Sequence, residues 1–309
     1  MILLRQMAIL FFYMLIGYAM ARKNLLKEEQ SKLLSFLVVN VANPALILSR
    51  CFQCTEEISV SKIANILLWA CLIFVGLILL AKVMPRILMA KQEDFGSYRV
   101  MTLFSNIGFM GLPVISAAYG GIAVLYASVF LLPFNLLIYT YGISQICGKT
   151  KETMSEKHVF LILKKVCNIG VIACVVALVF CFFRVQLPEG VQSAISGLSN
   201  LTAPLSMFVI GSSFCEISLR EIMMDIRLLI FSVLKLIVLP FVLILMLRFI
   251  IHDIILLEVC YVLLAAPVGS MTAMLSKQYG GNTELIVKGV ALTTICSVIT
   301  MPLVAQWIL

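Results

Sequence analysis

Ten long apolar stretches joined by short polar connections run the length of the chain: residues 3–21, 33–50, 60–82, 98–118, 121–147, 160–183, 190–214, 226–250, 254–275 and 284–308. Each is near the roughly 20 apolar residues that carry an α-helix across a hydrocarbon core. The longest polar connection, 148–159, leaves no room for a soluble domain. The pattern predicts an all-α polytopic membrane protein of ten transmembrane helices, packed against lipid and against itself.

Two of these stretches do not read as continuous helices. Residues 105–113, "SNIGFMGLP", hold Asn106, Gly108, Gly111 and Pro113 within span four. In a helix interior Gly costs about 1 kcal/mol and Pro about 3 relative to Ala, so two Gly and one Pro oppose a continuous helix by roughly 5 kcal/mol. Span nine carries "AAPVGSMT" at 265–272, with Pro267 inside it. Irregular backbone at membrane depth is tolerated only where protein or a watery cavity covers it.

These breaks sit in a chain that repeats itself. "NVANPAL" starts at Asn40 and "NLTAPLS" at Asn200, so Asn40 and Asn200, like Pro44 and Pro204, lie 160 residues apart. Tyr119-Gly120-Gly121 recurs at the same offset as Tyr279-Gly280-Gly281. The offset divides the chain into residues 1–147, spans one to five; a connection, 148–159; and residues 160–309, spans six to ten. Five spans per half is odd, so the second half enters the membrane from the opposite side. Inverted repeats of this kind are a feature of secondary transporters, whose sites lie at the midplane on discontinuous helices. Spans four and nine correspond under this repeat, and both are broken. If they cross near the midplane, two half-helix N-termini meet there, each with about half a positive charge. That suits an anion, with Ser105, Asn106, Ser270 and Thr272 adding side-chain hydrogen bonds. The alternative is a pair of proline kinks held by packing alone.

Composition narrows the class. The chain is 62% hydrophobic and 12% charged, with mean hydropathy +1.10; soluble domains carry about 25% charged residues. The net charge of +8 follows topology and needs no nucleic-acid partner. Of 23 Lys and Arg, sixteen fall on the connections after spans one, three, five, seven and nine, five on the opposite side, and Lys235 and Lys288 within spans. The positive-inside rule then puts both termini outside the cytoplasmic membrane and 148–159 in the cytoplasm. Arg5, an apolar run and Ala19-Met20-Ala21 imitate a signal peptide, but the Arg22-Lys23 cluster follows the run, so it reads as an uncleaved span.

Lys235 lies about nine residues into span eight, roughly 13 Å deep at 1.5 Å per residue. An intramembrane cation is a functional candidate by default, with an anionic substrate as transient partner; snorkelling or pairing with freed carbonyls is the alternative. Lys288, one turn into span ten, reads as snorkelling. Asn43 beside Pro44, and Asn135 after Pro133, stand where a proline frees backbone. Cys51 and Cys54 form a lone CxxC, and the histidines, His158 and His252, sit in loops, so no metal set or cofactor is implied. "GISQICGKT" at 142–150 has five residues, not four, between its glycines and follows no strand, which excludes a phosphate-binding loop.

"SNIGFMGLPVISAAYGG" with "PFNLLIYTYG", "NVANPAL" and "AAPVGSMTAMLSKQYGG" together resemble the auxin efflux carrier family, which includes plant PIN carriers and bacterial malonate and malate permease-like members. The resemblance covers essentially the whole chain. It implies ten helices in two inverted five-helix repeats, spans four and nine crossing at prolines in a transport domain, spans one, two, six and seven as scaffold, and an organic anion moved by an elevator-like motion. Asn106 and Pro113 match the span-four motif, and Pro267 sits in its span-nine counterpart; Gly108, between them, joins the candidate site as a residue of the broken segment. The family's Asn-Pro at the start of span six is Asn168-Ile169 here, a weaker match. The short 148–159 connection is of bacterial type, and span three lacks the acidic residue of PIN carriers.

The reading is therefore a carrier for a small organic anion, a carboxylate, working by efflux or driven by potential, with sodium or proton symport and an anion channel as alternatives. A homodimer stays open. An enzyme is disfavoured, since no Asp lies in a span, Glu258 is near a span end, and there is no HExxH.

Overall fold

The computed structural model describes residues 2–52, 59–147, 169–183, 185–216 and 224–308. The connection 148–159, Asn168 and Cys54 lie outside these residues. α1 (Ile2–Arg22) is followed by α2 (Glu28–Leu37), which runs through a wide π turn, Val38–Ala42, into α3 (Asn43–Phe52). Then come α4 (Val60–Ile87), α5 (Phe95–Leu103), a π turn at Ile107–Gly111 leading into α6 (Leu112–Tyr119), and α7 (Gly121–Leu137), joined by the π turn Ile138–Gly142 to α8 (Ile143–Cys147). The second part holds α9 (Ile169–Phe183), α10 (Glu189–Ser199), α11 (Thr202–Ser213) and α12 (Ile226–Val233), which passes through the π turn Leu234–Val238 into α13 (Leu239–Arg248). α14 (Ile254–Ala265), α15 (Ser270–Tyr279) and α16 (Thr283–Ile308) complete it.

Among the described residues, seven helices are long and apolar enough to cross a bilayer: Leu4–Arg22, Glu29–Ser49, Val60–Ile87, Gly121–Cys147, Glu189–Ser213, Ile226–Arg248 and Thr283–Gln306. Three shorter apolar helices are Ile107–Tyr119, Ile169–Phe183 and Ile254–Ala265. The first and third are halves of spans four and nine, which the breaks divide. The protein is an all-helical, multi-pass membrane protein.

Three of the four π turns among the described residues have a local cause. Those at Val38–Ala42, Ile107–Gly111 and Leu234–Val238 are each followed, two residues on, by a proline: Pro44, Pro113 and Pro240. Proline has no N–H to give and its ring collides with the carbonyl four residues back. A widened turn at that point accommodates both effects.

Glycines set how closely the helices approach. α1 lies along α11. A methyl on Gly17 would overlap the backbone of Phe208, and one on Gly211 the carbonyl of Met14, so each helix offers the other a bare backbone at its nearest point. Small residues at helix interfaces act this way in membranes, where packing replaces the hydrophobic drive. α3 packs on α9 and α10; α4 packs on α5 and α7; α16 packs on α5, α15 and the Leu234–Val238 turn. Tyr98, Tyr126, Tyr261, Phe104, Phe130 and Phe231 fill the interior, while Phe12, Leu68, Phe183 and Ile299 point outward as a lipid-facing surface requires.

At one end Asp253 caps α14 through the amide of Leu256 at 3.2 Å. It also accepts from Tyr126 Oη at 3.2 Å and lies 3.7 Å from Lys62 Nζ, which joins α4, α7 and α14. Both charged side chains keep about a third of their surface exposed, so the ion pair contributes less than the cap.

Local geometry recurs along the chain. Gly120 has φ 84° and ψ −167°, and Gly280, 160 residues on, has φ 90° and ψ −161°. Both end a helix in a conformation that only glycine adopts readily. The wide turn at Val38–Ala42 does not recur in this way: 160 residues on, α10 and α11 are separated by an ordinary turn at Asn200–Leu201.

Candidate functional site

Span four stops being helical at Phe104, which is extended at φ −104° and ψ 98°. Span nine stops at Ala266, at φ −61° and ψ 145°, where the following Pro267 disfavours the helical conformation. The two interruptions lie side by side and antiparallel, with Ser105 bridged to Val268. Asn106 N donates to Pro267 O at 2.7 Å, and Gly269 N donates to Phe104 O at 2.9 Å. Val268 N, facing the other way, donates to Thr293 Oγ1 of α16 at 3.1 Å. Three of the freed amides, those of Asn106, Gly269 and Val268, thus donate to carbonyls across the crossing or to one threonine. This satisfies backbone that lipid cannot.

Helices restart immediately after the pairing. Asn106 caps the Ile107–Gly111 turn, its Oδ1 accepting from Phe109 N at 3.3 Å, and its carbonyl accepts from Gly111 N at 2.9 Å. Gly269 precedes α15, and Thr272 Oγ1 donates to Gly269 O at 2.7 Å within its first turn. Asn106 Nδ2 donates to Ser270 Oγ at 3.4 Å, tying one restart to the other. Two helix N-termini, with their partial positive charges, therefore open from one crossing. Ser105, Asn106, Pro267 and Thr272 are buried there, and Gly108 and Ser270 are partly accessible.

The two prolines differ. Pro267 lies inside its break, whereas Pro113 follows the π turn at the start of α6, seven residues past Asn106. Extended pairing with span nine, rather than Pro113, interrupts span four, so the crossing is not proline against proline. Asn43 approaches from span two: a methyl built on Gly108 would stand 3.4 Å from its Nδ2, and its buried Oδ1 has no hydrogen-bond partner among the described residues. Such an orphaned acceptor beside a helix restart is a candidate ligand atom. Asn135 is buried in α7 and donates to its own helix at Leu131 O, 2.7 Å away. Lys235, in the Leu234–Val238 turn, is wholly buried and donates to Ser105 Oγ at 2.8 Å and Thr102 O at 3.2 Å.

Thr102, Thr293 and Ser297 also belong to this polar belt and were not read from the sequence. Ser297 Oγ lies 3.7 Å from Met110 Sδ in the turn after the break. The signal was present in α16, where Thr293, Thr294 and Ser297 share one face of an otherwise apolar helix.

A small, mainly apolar cavity adjoins the crossing, lined by Ser105 and Ile107, by Phe74 and Leu77 of α4, by Phe130 and by Leu264. A wider polar cleft lies where α5, α12 and α16 begin, between Asp94, Tyr98, Asp225, Arg227, Glu284 and Lys288. There Asn282 Nδ2 donates to Asp94 Oδ1 at 2.8 Å, and Lys288 pairs with Glu284 at 2.5 Å.

Comparison with known proteins identifies relatives among membrane transporters. A family model described as "Membrane transport protein" matches residues 2–305. An uncharacterized transporter of Methanocaldococcus jannaschii is 27% identical over 226 residues, covering 69% of each chain. The chain belongs to the membrane transport protein family, that of the auxin efflux carriers.

Proposed function

We infer that this protein is a carrier for a small organic anion, a carboxylate, across the cytoplasmic membrane, binding it at the crossing of the two broken helices. The observation that carries this reading is the pair of helix N-termini opened side by side and tied by Asn106 to Ser270. Such termini stabilise an anion without a mobile counter-ion. Gly108 and Ser270 give access, Thr272 and Ser105 supply neighbouring hydroxyls, and Asn43 Oδ1 accepts from a donor on the substrate.

The chain is two inverted five-helix repeats making ten spans, with both termini outside. The 160-residue recurrence of helix-ending glycines supports this. α1–α3 and α9–α11 pack mainly among themselves and form a scaffold. α4–α8 and α12–α16 form the unit that carries the crossing, and its sliding against the scaffold moves the site from one membrane face to the other. Impermeant reagents should label cysteines placed at both termini from outside intact cells, and a cysteine in the 149–157 segment only after the membrane is opened. A cytoplasmic C-terminus overturns the inverted arrangement.

The experiment that tests the site is flux of mono- and dicarboxylates into proteoliposomes, with imposed voltage, for the wild type and Asn106→Ala. Loss of a hydrogen bond to a charged group costs about 1.5–3 kcal/mol, so half-saturation should rise about 10- to 100-fold. The melting temperature should change little, because the main-chain pairing at the crossing remains. Unchanged half-saturation with a transported carboxylate removes Asn106 from the site. Flux that does not saturate, with unitary currents, means a pore and not a carrier.

A further inference from the structure

Lys235 is fully buried, and no carboxylate pairs with it among the described residues. An unpaired ammonium at such depth is costly unless fixed dipoles receive it. Two oxygens do so here. Thr102 O belongs to the last turn of α5, whose carbonyls have lost their next-turn amides because the chain becomes extended at Phe104. Ser105 Oγ comes from the extended pairing itself. The ammonium thus sits at the negative end of a half-helix, while the anion site lies on the positive ends that restart beyond the crossing. In transporters with discontinuous helices, carbonyls and helix C-termini of this kind are where a coupling Na⁺ is held.

We propose that the Lys235 ammonium occupies a monovalent-cation site built into the crossing, as a tethered cation that replaces a co-transported sodium ion. This rests on the transport reading only for its consequence, that anion movement is independent of sodium. The charge moves with the protein and cannot be released on the far side, so no sodium gradient couples to the anion. The Leu234–Val238 turn and Pro240 after it place the lysine at the required height on α12 and α13. Removing the side chain down to Cβ leaves Thr102 O and Ser105 Oγ facing an empty, polar volume that a sodium ion and its water can fill.

The test uses the full chain and sodium itself as the probe. Melting of purified wild type, Lys235→Ala and Lys235→Met is compared in NaCl and in N-methyl-D-glucamine chloride at equal ionic strength. Lys235→Ala should gain a saturable, sodium-specific rise of about 2–4 °C at concentrations about tenfold above the dissociation constant. Wild type, whose site is filled by its own ammonium, and Lys235→Met, whose thioether fills the space without charge, should show none. Adding Ser105→Ala to Lys235→Ala should abolish the rise. If Lys235→Ala yields no folded protein without sodium, recovery in about 100 mM NaCl but not in the organic-cation salt is the same result read as yield. Absence of any sodium-specific effect on Lys235→Ala, by melting or by yield, overturns the proposal, and so does a sodium requirement for wild-type carboxylate flux. If no carboxylate moves at all, the transport reading fails while the cation measurement still decides this one.

Discussion

Gly269→Val should abolish anion flux while the rest of the protein stays folded. Gly269 lies in ordinary extended backbone, φ −68° and ψ 129°, so conformation alone would tolerate a side chain. Space does not. A Cβ there would stand 3.1 Å from Ser105 O, 3.3 Å from Phe104 O and 3.4 Å from Ser105 C. These are backbone atoms, held by the Gly269 N to Phe104 O bond itself, and cannot rotate away as a side-chain tip would. Alanine forces a shift of a few tenths of an ångström and should slow transport. Valine adds two methyls and drives the extended segments apart, with an overpacking cost of about 1–3 kcal/mol. That separation carries Asn106 away from Ser270 and misaligns both helix restarts. Flux in proteoliposomes should fall by at least about 100-fold if some 2.7 kcal/mol of site geometry is lost. Wild-type flux in the valine variant would show that the pairing of the two breaks is not required for transport.

Gly211→Leu should have the largest effect on stability. α1 and α11 meet through Gly17 and Gly211, and any Cβ at Gly211 overlaps Met14 O and crowds Tyr18 N. The obstacle is again main chain, so the helices must separate over a contact that runs their shared length. Overpacking of about 3 kcal/mol corresponds to a fall in melting temperature on the order of 10 °C. The controls are Gly76→Ala and Gly197→Ala, where nothing lies within 4 Å of the added methyl. Both glycines are in helices, so alanine there should be neutral or stabilising by up to about 1 kcal/mol. Melting curves of the three variants decide the matter. An unshifted Gly211→Leu would mean that spans one and seven do not touch at this point in the membrane.

Much of this molecule is legible in its sequence because the bilayer makes departures from continuous helix conspicuous. Apolar runs of near-spanning length mark the helices. Gly, Pro and Asn within two of them mark where backbone is freed, and the 160-residue offset relates one break to the other. These are local signals, and they single out Asn106, Ser270 and Pro267, which the structure brings to one crossing. Composition reports that amides are released but not which atoms receive them. Only the tertiary structure pairs residues 104–106 with 267–269, because that contact joins segments about 160 residues apart and depends on how both halves pack. It also separates the two prolines: Pro267 makes its break, while Pro113 follows one made by pairing. Lys235 stands out in the sequence as a charge in an apolar span, yet its partners, Thr102 O and Ser105 Oγ, lie about 130 residues away on another helix. Gly17 and Gly211 look like any other glycines until two helices bring each against a bare backbone. Thr293 looks like a minor polar residue until the buried amide of Val268 is found to donate to it.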